Sequence, residues 1–173
     1  MEKFIKAKVW KFGDDIDTDL ITPGKYLGTP ELNNYILITE DPEFPKQVQK
    51  GDVIVGGKNF GCGSSRETAP EALKKLGIAA TFCESYARIY YRNSIGLGLP
   101  PFIVPGISKI IKKGDEIEFS LETFKLKILR IGKELQAERI PDFLLEILES
   151  GGQEKILKKK LKAKAKALRK QKE

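Results

Sequence analysis

Histidine is absent from the 173 residues. Without it there is no Ser–His–Asp triad, no imidazole general base and no His-ligated zinc. Cysteine is nearly absent. Cys62 and Cys83 have twenty residues between them and form no C-x-x-C pair. They cannot supply a four-thiolate zinc site or the ligand set of an iron–sulfur cluster, so they read as reduced, small, buried hydrophobes. Long apolar runs are also missing. None approaches the roughly 20 residues that a bilayer-spanning helix needs. Met1 to Lys6 enters strand-like alternation without a signal-peptide apolar region. The expectation is a cytoplasmic protein.

What is present suits one folded core. Apolar residues make up 40% of the chain, with 9 Phe, 5 Tyr and 1 Trp, which excludes a disordered polymer or a collagen-like repeat. The net charge of +7 is local. Residues 154–173 hold ten Lys/Arg against two Glu, and the remainder carries 21 basic and 22 acidic residues. A body-wide electrostatic footprint for nucleic acid is therefore missing. The division expected is a domain over 1–152 and a basic tail over 153–173, helical or frayed, with Leu157, Leu161, Ala165 and Leu168 on one stripe. A solvated basic helix, docking on a partner protein, and contact with nucleic acid or an anionic membrane all remain open for it.

Along the body, Ile5, Ala7 and Val9 alternate on a strand over 3–12, and Asp52 to Val55 is a second strand. Ala69, Ala72, Leu73 and Leu76 mark one face of a helix stopped by Gly77. A strand over Ile78 to Phe82, a helix over Ser85 to Ile95 and an apolar segment over Leu99 to Val104 follow. This rhythm predicts an α/β fold with a largely parallel sheet. Alternation over 115–131 predicts an antiparallel addition, and Asp142 to Leu148 a last helix before Gly151-Gly152.

The most informative stretch is Gly56-Gly57-Lys58-Asn59-Phe60-Gly61-Cys62-Gly63-Ser64-Ser65-Arg66-Glu67. It matches neither a Walker A loop nor G-x-G-x-x-G. One reading is a capping box, Ser64 with Glu67, although Pro70 suits a helix starting nearer Thr68. The other is an anion trap, in which backbone N–H groups, a helix N-terminus and the Arg66 fork hold a small carboxylate. The same field favours the alkoxide of Ser64, which could then take a proton beside that carboxylate.

Together with Gly13-Asp14-Asp15-Ile16-Asp17-Thr18-Asp19 and Ser85-Tyr86-Ala87-Arg88-Ile89-Tyr90-Tyr91-Arg92-Asn93, this stretch resembles the small-subunit family of 3-isopropylmalate dehydratase, swivel domains of the aconitase superfamily. The three motifs, in order and at these separations, are far more specific than any one of them. The resemblance covers 8–104 well and 105–152 loosely, and stops short of the tail. It implies a swivelling β/β/α three-layer domain that closes over a large subunit as a heterodimer or heterotetramer. It also implies a [4Fe–4S] cluster on that partner, with no cofactor or metal on this chain, and the dehydration and rehydration of a 2-hydroxy acid in leucine biosynthesis.

Position by position, the resemblance makes Ser64 the catalytic base, Arg66 the carboxylate clamp and Ser65 a neighbouring donor. Asp17 and Asp19 fall in the acidic turn near the cleft, where capping and ion pairing are equally good readings. Arg88 and Asn93 fall in a structural motif, and Tyr86 stands where Phe is common. Leu27, Gly28 and Thr29 match the segment that senses the variable substituent of the malate. Homoaconitase-like members tend to place an arginine at the position of Gly28. Its absence favours an isopropyl group over a third carboxylate, although Lys25 lies close enough in sequence to supply a charge. The small subunit of homoaconitase or of another malate-homologue hydro-lyase is thus the alternative enzyme, and a basic-tailed nucleic-acid module the alternative outside enzymes.

Overall fold

The computed structural model describes residues 3–170, with the side chains of Lys160 and of 163–170 outside the description. Seven strands form one sheet: β1 (Phe4–Lys11), β2 (Val53–Gly56), β3 (Ala80–Cys83), β4 (Pro101–Ile103), β5 (Glu116–Ser120), β6 (Lys125–Ile128) and β7 (Lys133–Gln136). Their order is β4-β3-β2-β1-β5-β6-β7. The pairs β1–β2, β2–β3 and β3–β4 are parallel. The pairs β1–β5, β5–β6 and β6–β7 are antiparallel.

Burial follows the period of two. Ile5, Ala7 and Val9 face one core cluster, and Trp10 and Phe12 face the other. Strand β2 is covered on both faces, with Val53, Ile54 and Val55 all fully buried, as a parallel strand between two layers must be.

The sheet is strongly curled. Strands β4 and β5 are four positions apart, roughly 19 Å in a flat sheet. Yet the rings of Phe102 on β4 and Phe119 on β5 lie 4.4 Å apart, and Phe82 and Phe119 5.1 Å apart. The antiparallel half therefore folds over one face of the parallel half, and the Glu138 N–H donates to the Ile103 carbonyl at 2.8 Å across the meeting edges.

On the other face pack α3 (Thr68–Leu76) and α4 (Arg88–Leu97), supplying Ala69, Ala72, Leu73 and Tyr90 to the second cluster. Two sheet layers and one helical layer give the β/β/α arrangement expected. The remaining helices are the short α1 (Thr18–Ile21) and α2 (Phe44–Gln47), then α5 (Asp142–Glu149) and α6 (Gln153–Lys170).

Several expectations need correction. The helix foreseen from Ser85 starts at Arg88, because residues 84–87 extend the sheet edge. Helix α1 and strand β7 are additional elements. The stretch 153–170 is helical, with Leu157 and Leu161 57% and 66% exposed. Ala165 and Leu168 lie outside the described side chains. No described helix is long and apolar enough to cross a membrane.

Candidate active site

The loops leaving β1, β2 and β3 meet at the C-terminal edge of the parallel strands, where open α/β sheets place their ligands. Their backbones continue the ladder. Gly57 N–H donates to Gly13 O at 2.9 Å, Asp15 N–H to Lys58 O at 2.8 Å, and Gly61 N–H to Ile16 O at 2.7 Å. On the far side, Phe60 N–H donates to Ser85 O at 3.1 Å and Ala87 N–H to Phe60 O at 3.0 Å. The three motifs singled out in the sequence are thus one unit. Gly61 makes the close approach possible: at φ +77° it lies flat on Tyr90, whose Cγ would be 2.1 Å from an added Cβ.

Each carboxylate of the acidic turn has a partner. Asp14 accepts from Lys58 N–H at 2.7 Å and Asp15 from the Asn59 amide at 2.8 Å. Asp17 caps α1, accepting from Leu20 N–H at 2.7 Å. Asp19 pairs with Arg66 Nη1. Helix α1 exists because of that cap, and it aims Asp19 at the guanidinium.

Helix α3 starts at Thr68 and Glu67 is its first flanking residue, with no side-chain cap. The capping-box reading of Ser64 is therefore wrong: Ser64 lies four residues ahead of the helix. The helix dipole fades within its first turn, so it adds little at Ser64, where Arg66 is the near cation and Asp19 is already paired with it.

Ser64 and Ser65 are exposed, and neither hydroxyl has a hydrogen bond among the described residues. The Ser64 carbonyl is held at both lone pairs, by Thr18 Oγ1 at 3.1 Å and by Arg66 N–H at 2.8 Å. The Arg66 side chain is 27% exposed and lies against Gly24, where an added Cβ would sit 3.5 Å from Nη1. Asp19 thus fixes one arm of the fork and leaves other donors free for an anion. Thr18 and Gly24 were not singled out from the sequence. A threonine inside a carboxylate-rich turn and a glycine after Pro23 were the available signals.

Leu27, Gly28 and Thr29 lie beside this point, since Leu27 N–H donates to Gly24 O at 3.3 Å. They form one wall of a cleft of about 510 Å³ whose opposite wall is the first two turns of α3, including Thr68 and Ala72. The Thr68 hydroxyl is buried without a hydrogen-bond partner among the described residues. Two cations near this segment are engaged. Lys75, on the cleft wall, pairs with Glu71 at 2.6 Å, and the Lys25 ammonium sits 5.3 Å above the Tyr26 ring.

Arg88 is exposed at the start of α4 and Asn93 is half-buried within it. Cys83 is fully buried, and burial pushes its thiol up to about 12. Cys62 departs from the expected burial. It is half-buried in the loop, and its thiol is raised first by desolvation and then by Asp17 and Asp15. Neither cysteine is a ready thiolate ligand.

The aconitase C-terminal domain family model matches residues 13–105, which contain all three loops. The chain belongs to this family. It is 51% identical over 164 residues to the isopropylmalate/citramalate isomerase small subunit of Methanocaldococcus jannaschii, covering 93% of this chain and 98% of that one. It is 47% identical over 156 residues to the methanogen homoaconitase small subunit of Methanothermobacter thermautotrophicus, covering 88% and 89%. Its structure superposes with a TM-score of 0.89 and 44% identity on the crystal structure of a 3-isopropylmalate dehydratase from M. jannaschii, over 95% of this chain and 99% of that one. Family membership covers the fold and the interlocked loops together. Relatives named for different substrates show similar identities, so overall identity does not choose among those substrates.

Proposed function

We propose that this chain acts as the small subunit of a 3-isopropylmalate dehydratase, isomerising 2-isopropylmalate to 3-isopropylmalate with a separate large subunit that holds the [4Fe–4S] cluster. The observation that carries the reading is the pair of exposed, unpartnered serine hydroxyls beside a guanidinium with one arm fixed by Asp19. The buried Cys83 and loop-bound Cys62 do not make a cluster ligand set, which is in keeping with a cluster carried by the partner. When bound there, the cluster provides a Lewis acid for the departing hydroxyl.

This chain is asked for the remainder. Arg66 holds a substrate carboxylate through the donors that Asp19 leaves free, and Ser65 adds a hydrogen bond. Ser64 Oγ takes the proton from the carbon next to that carboxylate and returns it on rehydration. Its anionic form is favoured by the guanidinium two residues away. Asp17 and Asp19 serve by capping α1 and by orienting Arg66. The moving unit is residues 1–152, with 153–173 as an appended basic segment. Ser64 and Arg66 stand on an open edge, which suits a site completed by a second chain.

Leu27, Gly28 and Thr29 frame the substituent. A third carboxylate there would face Lys75 already paired with Glu71, and Lys25 already seated on Tyr26. A branched alkyl group needs no counter-charge, and a carboxylate without one is costly to desolvate. The test is reconstitution with the large subunit. We expect kcat/KM for 2-isopropylmalate to exceed that for homocitrate or homoaconitate by about 10²-fold. Equal or faster turnover of the tricarboxylates overturns the substrate assignment.

A further inference from the structure

The segment that frames the substituent has little to hold it. Gly24, Lys25, Gly28, Thr29, Pro30 and Glu31 are all exposed. The segments Gly24–Tyr26 and Pro30–Asn34 are short 3₁₀ helices of three and five residues, and neither has a side-chain cap. Such turns have poor hydrogen-bond geometry and little stability of their own.

Within this segment Tyr26 is the hub. Its carbonyl accepts from both the N–H and the hydroxyl of Thr29, at 3.1 and 2.9 Å. Its ring lies face to face on Tyr35, with centroids 3.5 Å apart and planes within 3°. Tyr35 in turn stands on firm ground. Ile36 and Leu37, which follow it, are fully buried. Leu37 N–H bonds to the carbonyls of Leu20 and Ile21 at 3.2 and 3.3 Å, at the end of the helix that bears Asp19.

From this we infer that Tyr35 is a positioning residue for substrate selection. By stacking on Tyr26 it clamps the Leu27–Thr29 wall at its distance from Arg66 and from α3. Tyr35 does not line the cleft, and it acts on the reaction through the place where it holds that wall. The inference rests on the function proposed above and adds the residue that fixes the fit for a short branched alkyl substituent.

The experiment uses full-length chain reconstituted with the large subunit, assayed with 2-isopropylmalate and with the smaller methyl-substituted citramalate. Losing an aromatic stack of this kind corresponds to a change of up to about tenfold. Tyr35→Ala is expected to raise KM for 2-isopropylmalate about five- to tenfold, with kcat within about twofold. The kcat/KM ratio of the two substrates should shift toward citramalate, because an ill-held wall costs the larger group more contact. Tyr35→Phe keeps the stack and is expected to restore the ratio.

A second measurement is independent of activity: trypsin cleavage after the exposed Lys25 should quicken in full-length Tyr35→Ala and remain slow in Tyr35→Phe. An unchanged substrate ratio in Tyr35→Ala, or an equal loss for both substrates without faster cleavage, overturns the role of Tyr35. If the wild-type holoenzyme turns over neither substrate, the functional reading fails instead, and the role of Tyr35 in selection falls with it.

Discussion

The two ends of the parallel strands differ in how their polar groups are used. At the end opposite Ser64, a cleft of about 530 Å³ is lined by Gly51, Ala79 and Pro100, which lead into β2, β3 and β4, and by Lys6, Lys50, Lys74 and Lys155. It is about as large as the cleft beside Leu27–Thr29, and more basic. Two of its cations, Lys74 and Lys6, are tied to the fold. Helices α3, α4 and α5 all end there, at Gly77, Gly98 and Ser150, and helix ends present carbonyls with a negative dipole. Lys74 Nζ donates to Leu97 O and, at 3.1 Å, to Gly151 O, and Lys6 faces Glu118 at 3.8 Å. At the Ser64 end, hydroxyl and guanidinium donors are left over among the described residues. A guanidinium with one arm fixed, beside two exposed hydroxyls, marks the candidate active site better than volume does.

That contrast can be broken most sharply at Ser64. Ser64→Ala removes an exposed hydroxyl that holds no other part of the chain, so folding and association with the large subunit should be unchanged. A positioned proton-transfer group contributes 10²–10⁴-fold, and kcat is expected to fall by about 10³-fold in the reconstituted enzyme. Near-normal kcat would remove Ser64 from the chemistry and erase the distinction between the two ends.

Lys74 provides the converse test. Lys74→Met keeps the length of the side chain but leaves the Leu97 and Gly151 carbonyls without their donor. Leaving such groups unsatisfied costs about 1–3 kcal/mol. The low end is expected, because burial and the nearby Lys155 already disfavour the charged amine. Denaturant unfolding of the chain should show this loss, with kcat/KM in the holoenzyme within about twofold of wild type. A variant as stable as wild type but catalytically impaired would show that the basic cleft takes part in function.

How much of this was legible in the sequence depended on range. Alternation at Ile5, Ala7 and Val9, and the helical spacing of Ala69, Ala72 and Leu73, reported local geometry and placed β1 and α3. The Gly-rich loop pointed to Ser64 and Arg66 because its residue types are chemically unusual together. The curl of the sheet was not legible, since it rests on Phe102 meeting Phe119 from strands that are not neighbours. Strand β7 was missed because only Leu135 among its residues turns inward, so no period shows. The Asp19–Arg66 pair spans 47 positions, and the Tyr26–Tyr35 stack closes a loop with no motif. Of the two readings of the Ser64–Glu67 spacing, the helix start near Thr68 that Pro70 suggested is the one observed, and Ser64 is held instead through its carbonyl by Thr18 and Arg66.

The smallest effect compares the parallel half, where β2 is apolar and buried on both faces, with the antiparallel half, where a buried carboxylate is held by an arginine. Asp115, buried ahead of β5, accepts from Arg130 Nε at 2.6 Å and Nη2 at 3.0 Å, and from Lys112 N–H at 2.8 Å. The Arg130 hydrogen bonds lead the causes that hold its carboxyl below the usual 3.8. A carboxylate depressed by folding stabilises the protein above its unfolded value, and this contribution is lost as pH falls through the lower, folded value. The Arg130 side chain is 37% exposed, so solvent screening limits the contribution to about 1 kcal/mol. Unfolding measured from about pH 6 down to pH 2 should therefore show wild type more stable than Asp115→Asn by about that amount at the upper end. The gap should close below about pH 4 as the carboxyl takes up its proton. A gap that persists unchanged to pH 2 would mean that Asp115 acts through the geometry of its turn, with its charge playing no part.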